Sequence, residues 1–126
     1  MSQTPSPGAG NGARPIAEQV ALVIDTDVER HLLSRRAIRQ TDLFSVILSA
    51  ESVETARDIL TDPRTPSLPL ILVEASLADR VLETMTAVQI SRTALVADTP
   101  VGDARRPVLV TPVTADDLVA LLNTMT

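Results

Sequence analysis

The chain has 126 residues, 44% of them hydrophobic, with a formal net charge of −5 at pH 7. That length suits one domain with a single buried core, and the negative charge argues against a nucleic-acid polymer as partner. There is no cysteine, which excludes disulfides and thiolate chemistry, and no lysine among the 11 basic residues, which excludes a Schiff base.

Residues 1–15 are rich in Pro, Gly, Ser and Ala and read as a flexible linker, which suggests attachment to something upstream. The folded domain is expected over 16–126, with order beginning near Ile16. Val20 to Ile24 is a continuous apolar run suited to a strand buried on both faces, and it ends at Asp25. A helix is predicted from Asp27 to Gln40, capped by Thr26 or Asp27, with Leu33, Ala37 and Ile38 toward the sheet. On its other side fall Val28, Leu32, Arg35, Arg36 and Arg39. His31, the one histidine, is expected on the surface, because a functional imidazole needs an orienting partner.

A second strand is predicted over Ser45 to Ser49. A helix over Ser52 to Leu60 follows, with Ser52 as cap and Ala56, Ile59 and Leu60 inward. Pro63, Pro66 and Pro69 then impose an extended loop. Leu70 to Val73 is the third strand and ends at Glu74. Leu77, Val81, Leu82, Met85 and Val88 recur at helical spacing, which predicts one helix from Leu77 to Ile90. Thr93 to Ala97 and Val108 to Val110 are the fourth and fifth strands, the latter ending at Thr111-Pro112. Thr114 with Asp117 reads as a capping box for a last helix that buries Leu118, Val119, Leu121 and Leu122.

Alternating strands and helices imply a parallel sheet covered on both faces. The nine residues from Thr99 to Pro107, with Pro100, Gly102 and Pro107 among them, make up all but Asp98 of the connection between the fourth and fifth strands. A parallel crossover normally takes a dozen residues or more. One covering helix is therefore expected to be missing, which leaves an apolar edge open to a ligand or partner. The carboxyl ends of the strands should bring Asp25, Glu74 and Thr111-Pro112 together.

These segments resemble the receiver domain of two-component signalling proteins, from Val20 to Met125. LVIDTD at 22–27 is similar to the first strand and its acidic pair. LILVEASLAD at 70–79 is similar to the third strand, the phospho-acceptor and the loop after it. VLVTPVTADDLVALL at 108–122 is similar to the fifth strand, the Lys-Pro step and the last helix, and AESVETA at 50–56 to the start of the second helix. The resemblance implies a flavodoxin-like, doubly wound five-stranded parallel sheet lacking the fourth helix, and the Pro-rich leader is similar to linkers in hybrid histidine kinases.

By the same resemblance the two metal-binding acids fall at Asp25 and Thr26, the phospho-acceptor at Glu74 and the phosphate-binding lysine at Thr111. The aromatic switch falls at Val108 and the phosphate-sensing hydroxyl at Asp98 or Thr99, while Pro112 is retained and permits a cis peptide. Phosphoryl transfer needs a metal and a cation to neutralise developing charge. Here one acid of the pair and the lysine are absent, and Glu74 is a methylene too long. A displacement of about 1 Å costs roughly 10²-fold in rate. Asp25 and Glu74 are thus read as solvated leftovers rather than as a metal site or a mimic of the phosphorylated state, and no cofactor is assigned.

The resemblance implies a phosphorylation-incompetent pseudo-receiver without enzymatic activity of its own. It would act through docking to a kinase core or neighbouring receiver domain, with Leu32, Arg35, Arg36 and Arg39 as the partner face. The alternative is a cyclic dinucleotide sensor. Arg92, Asp103, Arg105 and Arg106 lie beside the missing helix and have the donors and acceptor for cyclic di-GMP, and Arg39 with Asp42 has a spacing seen at some such sites. No membrane span or signal peptide is legible, so a cytoplasmic location is expected.

Overall fold

The computed structural model describes residues 19–102 and 106–125. The expected linker at 1–15 and the start of order near Ile16 lie outside the described residues, as do Asp103 and Arg105. Five strands alternate with helices: β1 (Val20–Ile24), α1 (Val28–Thr41), β2 (Val46–Ala50), α2 (Val53–Thr61) and β3 (Leu70–Glu74) come first. A 3₁₀ turn (Ala75–Leu77), α3 (Ala78–Leu82), α4 (Ala87–Ser91), β4 (Thr93–Ala97), β5 (Val108–Val110) and α5 (Ala115–Met125) complete the order.

The sheet is parallel throughout, in the order β2-β1-β3-β4-β5. Side chains alternate across a strand, so continuous apolar runs serve two cores at once. Leu22, Ile24, Ile71, Val73 and Leu95 pack on the side of α2 and α3. Ala21, Val23, Leu70, Leu72, Ala94 and Val96 pack on the other side with Ile38, Leu118 and Leu121. Each fully buried aliphatic side chain contributes about 1.5–3 kcal/mol. With a single aromatic residue in the chain, that burial rests on Leu, Ile and Val.

Local chemistry sets the helix boundaries. The Asp27 carboxylate accepts from Arg30 N at the start of α1, so of the two candidate caps Asp27 serves. Ser52 caps α2, and Thr114 and Asp117 bond reciprocally at the start of α5. Strand β2 begins one residue later than expected, because Ser45 bonds back to the Gln19 carbonyl instead of pairing in the sheet.

The single helix predicted from Leu77 to Ile90 is two short helices instead. Thr84 bonds back to the Val81 carbonyl, and Thr86 with Gln89 forms a capping box that starts a new helix. The restart changes the phase, so Leu77, Val81 and Met85 are buried but Val88 is exposed. Leu33 and Val119 are also partly exposed, at 42% and 39%, rather than inward. With Asp27 as cap, the inner face of α1 runs through His31, Ser34, Ala37 and Ile38, and Leu33 lies beside it. In α5 the inner line is Leu118 and Leu121, with Leu122 partly covered.

No helix spans β4 to β5 among the described residues. Arg106 holds this connection instead: its Nε donates to the Thr93 carbonyl at 3.0 Å and its Nη2 to the Ser91 carbonyl at 3.0 Å. Val101 and Val110 remain exposed at this edge.

Candidate functional site

The carboxyl ends of β1, β3, β4 and β5 carry Asp25, Glu74, Asp98 and Thr111. The sheet register brings these ends together, since Ile24 pairs with Val73, Glu74 with Val96 and Ala97 with Val110. The residue that joins them comes from α1. Arg30 Nε lies 2.6 Å from Asp25 Oδ2 and its Nη2 lies 2.9 Å from Oδ1, a bidentate pair. Its Nη1 donates to Asp98 Oδ2 at 3.0 Å, and its Nη2 lies 4.0 Å from Glu74 Oε1. One guanidinium therefore faces three carboxylates.

The fork geometry of arginine suits this arrangement, because its donors point in fixed, separate directions. The hydrogen bond to Asp25 is the main cause that holds the Arg30 guanidinium well above its ordinary pKa. Burial opposes it, and the charges of Asp25, Asp98 and Glu74 add to it. Asp25 is only 2% exposed and also accepts from the Asp27 amide at 2.9 Å. The expectation of a solvated Asp25 is thus corrected. A carboxylate this deep needs a counter-charge, and Arg30, in the first turn of α1, supplies it.

Glu74 is mostly covered, and the Ser76 amide and hydroxyl both donate to its carboxylate. Asp98 is 66% exposed and accepts from the Thr111 hydroxyl at 2.8 Å. Of the two positions left open for the family's hydroxyl, Asp98 therefore joins the cluster. Thr26 is exposed and bonds to none of these acids in the described contacts, and the Thr111–Pro112 peptide is cis. No group of three or more metal-ligating side chains is suitably arranged among the described residues. A cavity of about 360 Å³ opens beside the cluster between α1 and the β5–α5 loop, and Leu33, Arg30, Asp98 and Pro112 are part of its lining.

His31 is the second residue whose place the sequence did not show. It is 5% exposed, not on the surface, and its Nδ1 lies 3.0 Å from the Asp25 carbonyl oxygen. A signal existed, since His31, Ser34 and Ile38 share one helical face. Arginines on either side of it concealed that face.

The other candidate residues separate. On α1, Val28 and Leu32 are 70% and 60% exposed, and Arg36 and Arg39 are exposed beside them. Arg35 is half-buried and donates to Ser49 Oγ at 2.6 Å, so it is less free for a partner than its place on the outer face suggests. Arg92 donates to Ser67 Oγ at 2.9 Å, and Arg106 is committed to backbone carbonyls. The described members of the expected cyclic dinucleotide cluster are thus engaged within the chain. Asp42 ends α1 in the left-handed region at φ 60°, with its amide on the Arg39 carbonyl.

No protein-family model and no curated protein matches the chain. Among solved structures the fold is similar to the crystal structure of a two-component response regulator from Cytophaga hutchinsonii. The TM-score is 0.69 at 19% identity, over 85% of this chain and 96% of that one. The five-stranded parallel sheet is thus the receiver fold, flavodoxin-like, with no helix between β4 and β5 among the described residues. No helix among the described residues is long and apolar enough to cross a membrane.

Proposed function

We propose that this chain is a receiver-like regulatory domain that does not take up a phosphoryl group and works by docking. The observation that carries this reading is Arg30, seated on Asp25, Glu74 and Asp98. A Mg²⁺ ion at these carboxylates would need oxygen ligands in near-ideal octahedral geometry. The bidentate guanidinium takes both Asp25 oxygens and supplies the neutralising charge. Without the metal, a phosphoryl group at Glu74 loses its main source of charge compensation.

A domain with a built-in cation has one charge state, so its influence on a neighbour is constant. Docking to a kinase core or an adjacent receiver domain of a signalling protein, such as a histidine kinase, is the regulatory act this leaves. The surface best suited to it is the outer face of α1, where Val28 and Leu32 are exposed beside Arg36 and Arg39. Apolar side chains flanked by arginine have the composition of interface hot spots. The domain itself is not an enzyme in this reading.

Intact-mass measurement after incubation with acetyl phosphate and Mg²⁺ tests the reading. No mass gain is expected, and amide spectra should not respond to Mg²⁺ with beryllofluoride. One phosphate on Glu74, Asp25 or Asp98 would overturn it.

A further inference from the structure

On the far side of the β1–α1 turn lies a cavity of about 80 Å³, and Asp25, Thr26, His31, Arg35, Ser49 and Glu51 line part of it. Two of these residues have buried nitrogens with no hydrogen-bond partner among the described residues, His31 Nε2 and Arg35 Nε. Such atoms cost roughly 1–3 kcal/mol each when left unsatisfied. Most buried polar atoms in folded proteins have a partner, so these two need an explanation.

The two nitrogens are of opposite kind. A carbonyl oxygen can only accept, so the contact of His31 Nδ1 with the Asp25 carbonyl requires the hydrogen on Nδ1. In the neutral ring Nε2 is then a bare lone pair that seeks a donor. Arg35 Nε carries a hydrogen and seeks an acceptor. Ser49 Oγ already accepts from Arg35 Nη1, which leaves its own hydrogen to give. A matching ligand must donate one hydrogen bond and accept two, and carry negative charge for Arg35.

Volume restricts the choice further. A water molecule takes about 30 Å³ of liquid, and pockets for drug-sized ligands begin near roughly 300 Å³. The interior of the cavity therefore suits an ion of a few heavy atoms and is too small to hold a whole nucleotide or sugar. We infer that this cavity binds a small protonated oxoanion, of the hydrogen carbonate or hydrogen phosphate kind. Its O–H would donate to His31 Nε2, and its anionic oxygens would accept from Arg35 Nε and Ser49 Oγ. Both nitrogens are covered from solvent, so small rotations of the two side chains accompany binding. Glu51 at the rim favours the protonated, less charged form of the ion, while the Asp25 carboxylate is already neutralised by Arg30. The inference does not depend on whether the chain is phosphorylated.

The single histidine makes the test direct, since one imidazole ¹⁵N pattern belongs to His31 alone. The full chain is titrated at neutral to mildly alkaline pH with hydrogen carbonate, with phosphate and with sulfate. Sulfate has the size and charge of an oxoanion but no proton to give. The expected result is a saturable movement of Nε2 away from its bare-lone-pair position with one or both protonated ions, and none with sulfate. Whichever protonated ion binds more tightly identifies the ligand. In a folded Arg35→Gln variant the apparent affinity should fall about tenfold or more, the consequence of losing a hydrogen bond to a charged group. No saturable movement with either protonated ion, an equal response to sulfate, or undiminished binding by the Arg35→Gln variant would overturn the assignment.

Discussion

Arginine occupies both ends of this sheet and does different work at each. At the carboxyl end, Arg30 meets carboxylates and sets the charge of the candidate site. At the amino end, Arg106 meets backbone carbonyls and holds a connection that shows no helix among the described residues. The same side chain is an electrostatic component in one place and a structural clasp in the other. The difference lies in what each fork of donors finds, charged oxygens that need a counter-ion or carbonyls that need a donor.

Removing Arg30 is the strongest way to break this contrast. Arg30→Ala leaves Asp25 buried without its counter-charge; loss of one partner of a fully buried pair costs about 3–5 kcal/mol, an upper bound here because Arg30 is partly exposed. Urea unfolding should show that loss. Millimolar Mg²⁺ should restore part of it in the variant while leaving the unaltered chain unchanged, because the freed carboxylates can then share a metal. Equal stability of variant and parent would remove Arg30 from its central place.

Arg106→Ala probes the other end. It removes two charge-assisted bonds to partly covered carbonyls, each worth at most about 1.5–3 kcal/mol. Solvent access reduces this, and a net loss of about 1–3 kcal/mol is expected. Hydrogen exchange should rise at Leu95, whose amide bonds to the Pro107 carbonyl across the same edge. Mg²⁺ should not rescue this variant, which separates clasp from counter-ion.

Smaller effects sharpen the boundary of the cluster. Thr111→Val removes a bond to an exposed Asp98, so a change of about 0–1 kcal/mol is expected in thermal unfolding. A larger change would make Thr111 part of the buried network. Smallest of all is Arg64→Ala. The Arg64 side chain and amide hold the partly exposed Asp62 carboxyl below its ordinary pKa. A depressed carboxyl stabilises the fold above its unfolded pKa, and that contribution disappears as pH falls through its folded value. The variant should therefore differ from the parent at neutral pH and converge with it in acid, with the Asp62 carbon resonance titrating at higher pH.

The strands were legible in the chain because a sheet buried on both faces requires unbroken apolar runs, and β1, β4 and β5 match those runs residue for residue. The caps of α2 and α5 were legible because capping is settled within four residues. The split between α3 and α4 was not, since Thr84 and Thr86 are tolerated in a helix and only the contacts of each turn decide whether it continues. Val88 and Val119 were misplaced for a related reason. Helical spacing shows that an apolar stripe exists, while its angular phase depends on where the helix starts and what it packs against.

The amino-acid sequence by itself determined the order of the five strands, the short β4–β5 connection and the absence of a lysine at the strand ends. These depend on local spacing and composition. Tertiary structure alone decided that Arg30, among eleven arginines, enters the acidic cluster and that His31 is buried. Asp25 and Asp98 lie far apart in the chain and meet only because the parallel sheet aligns its carboxyl ends. Which cation reaches them depends on the rotation of α1 about its own axis, and packing against the sheet and α5 sets that rotation.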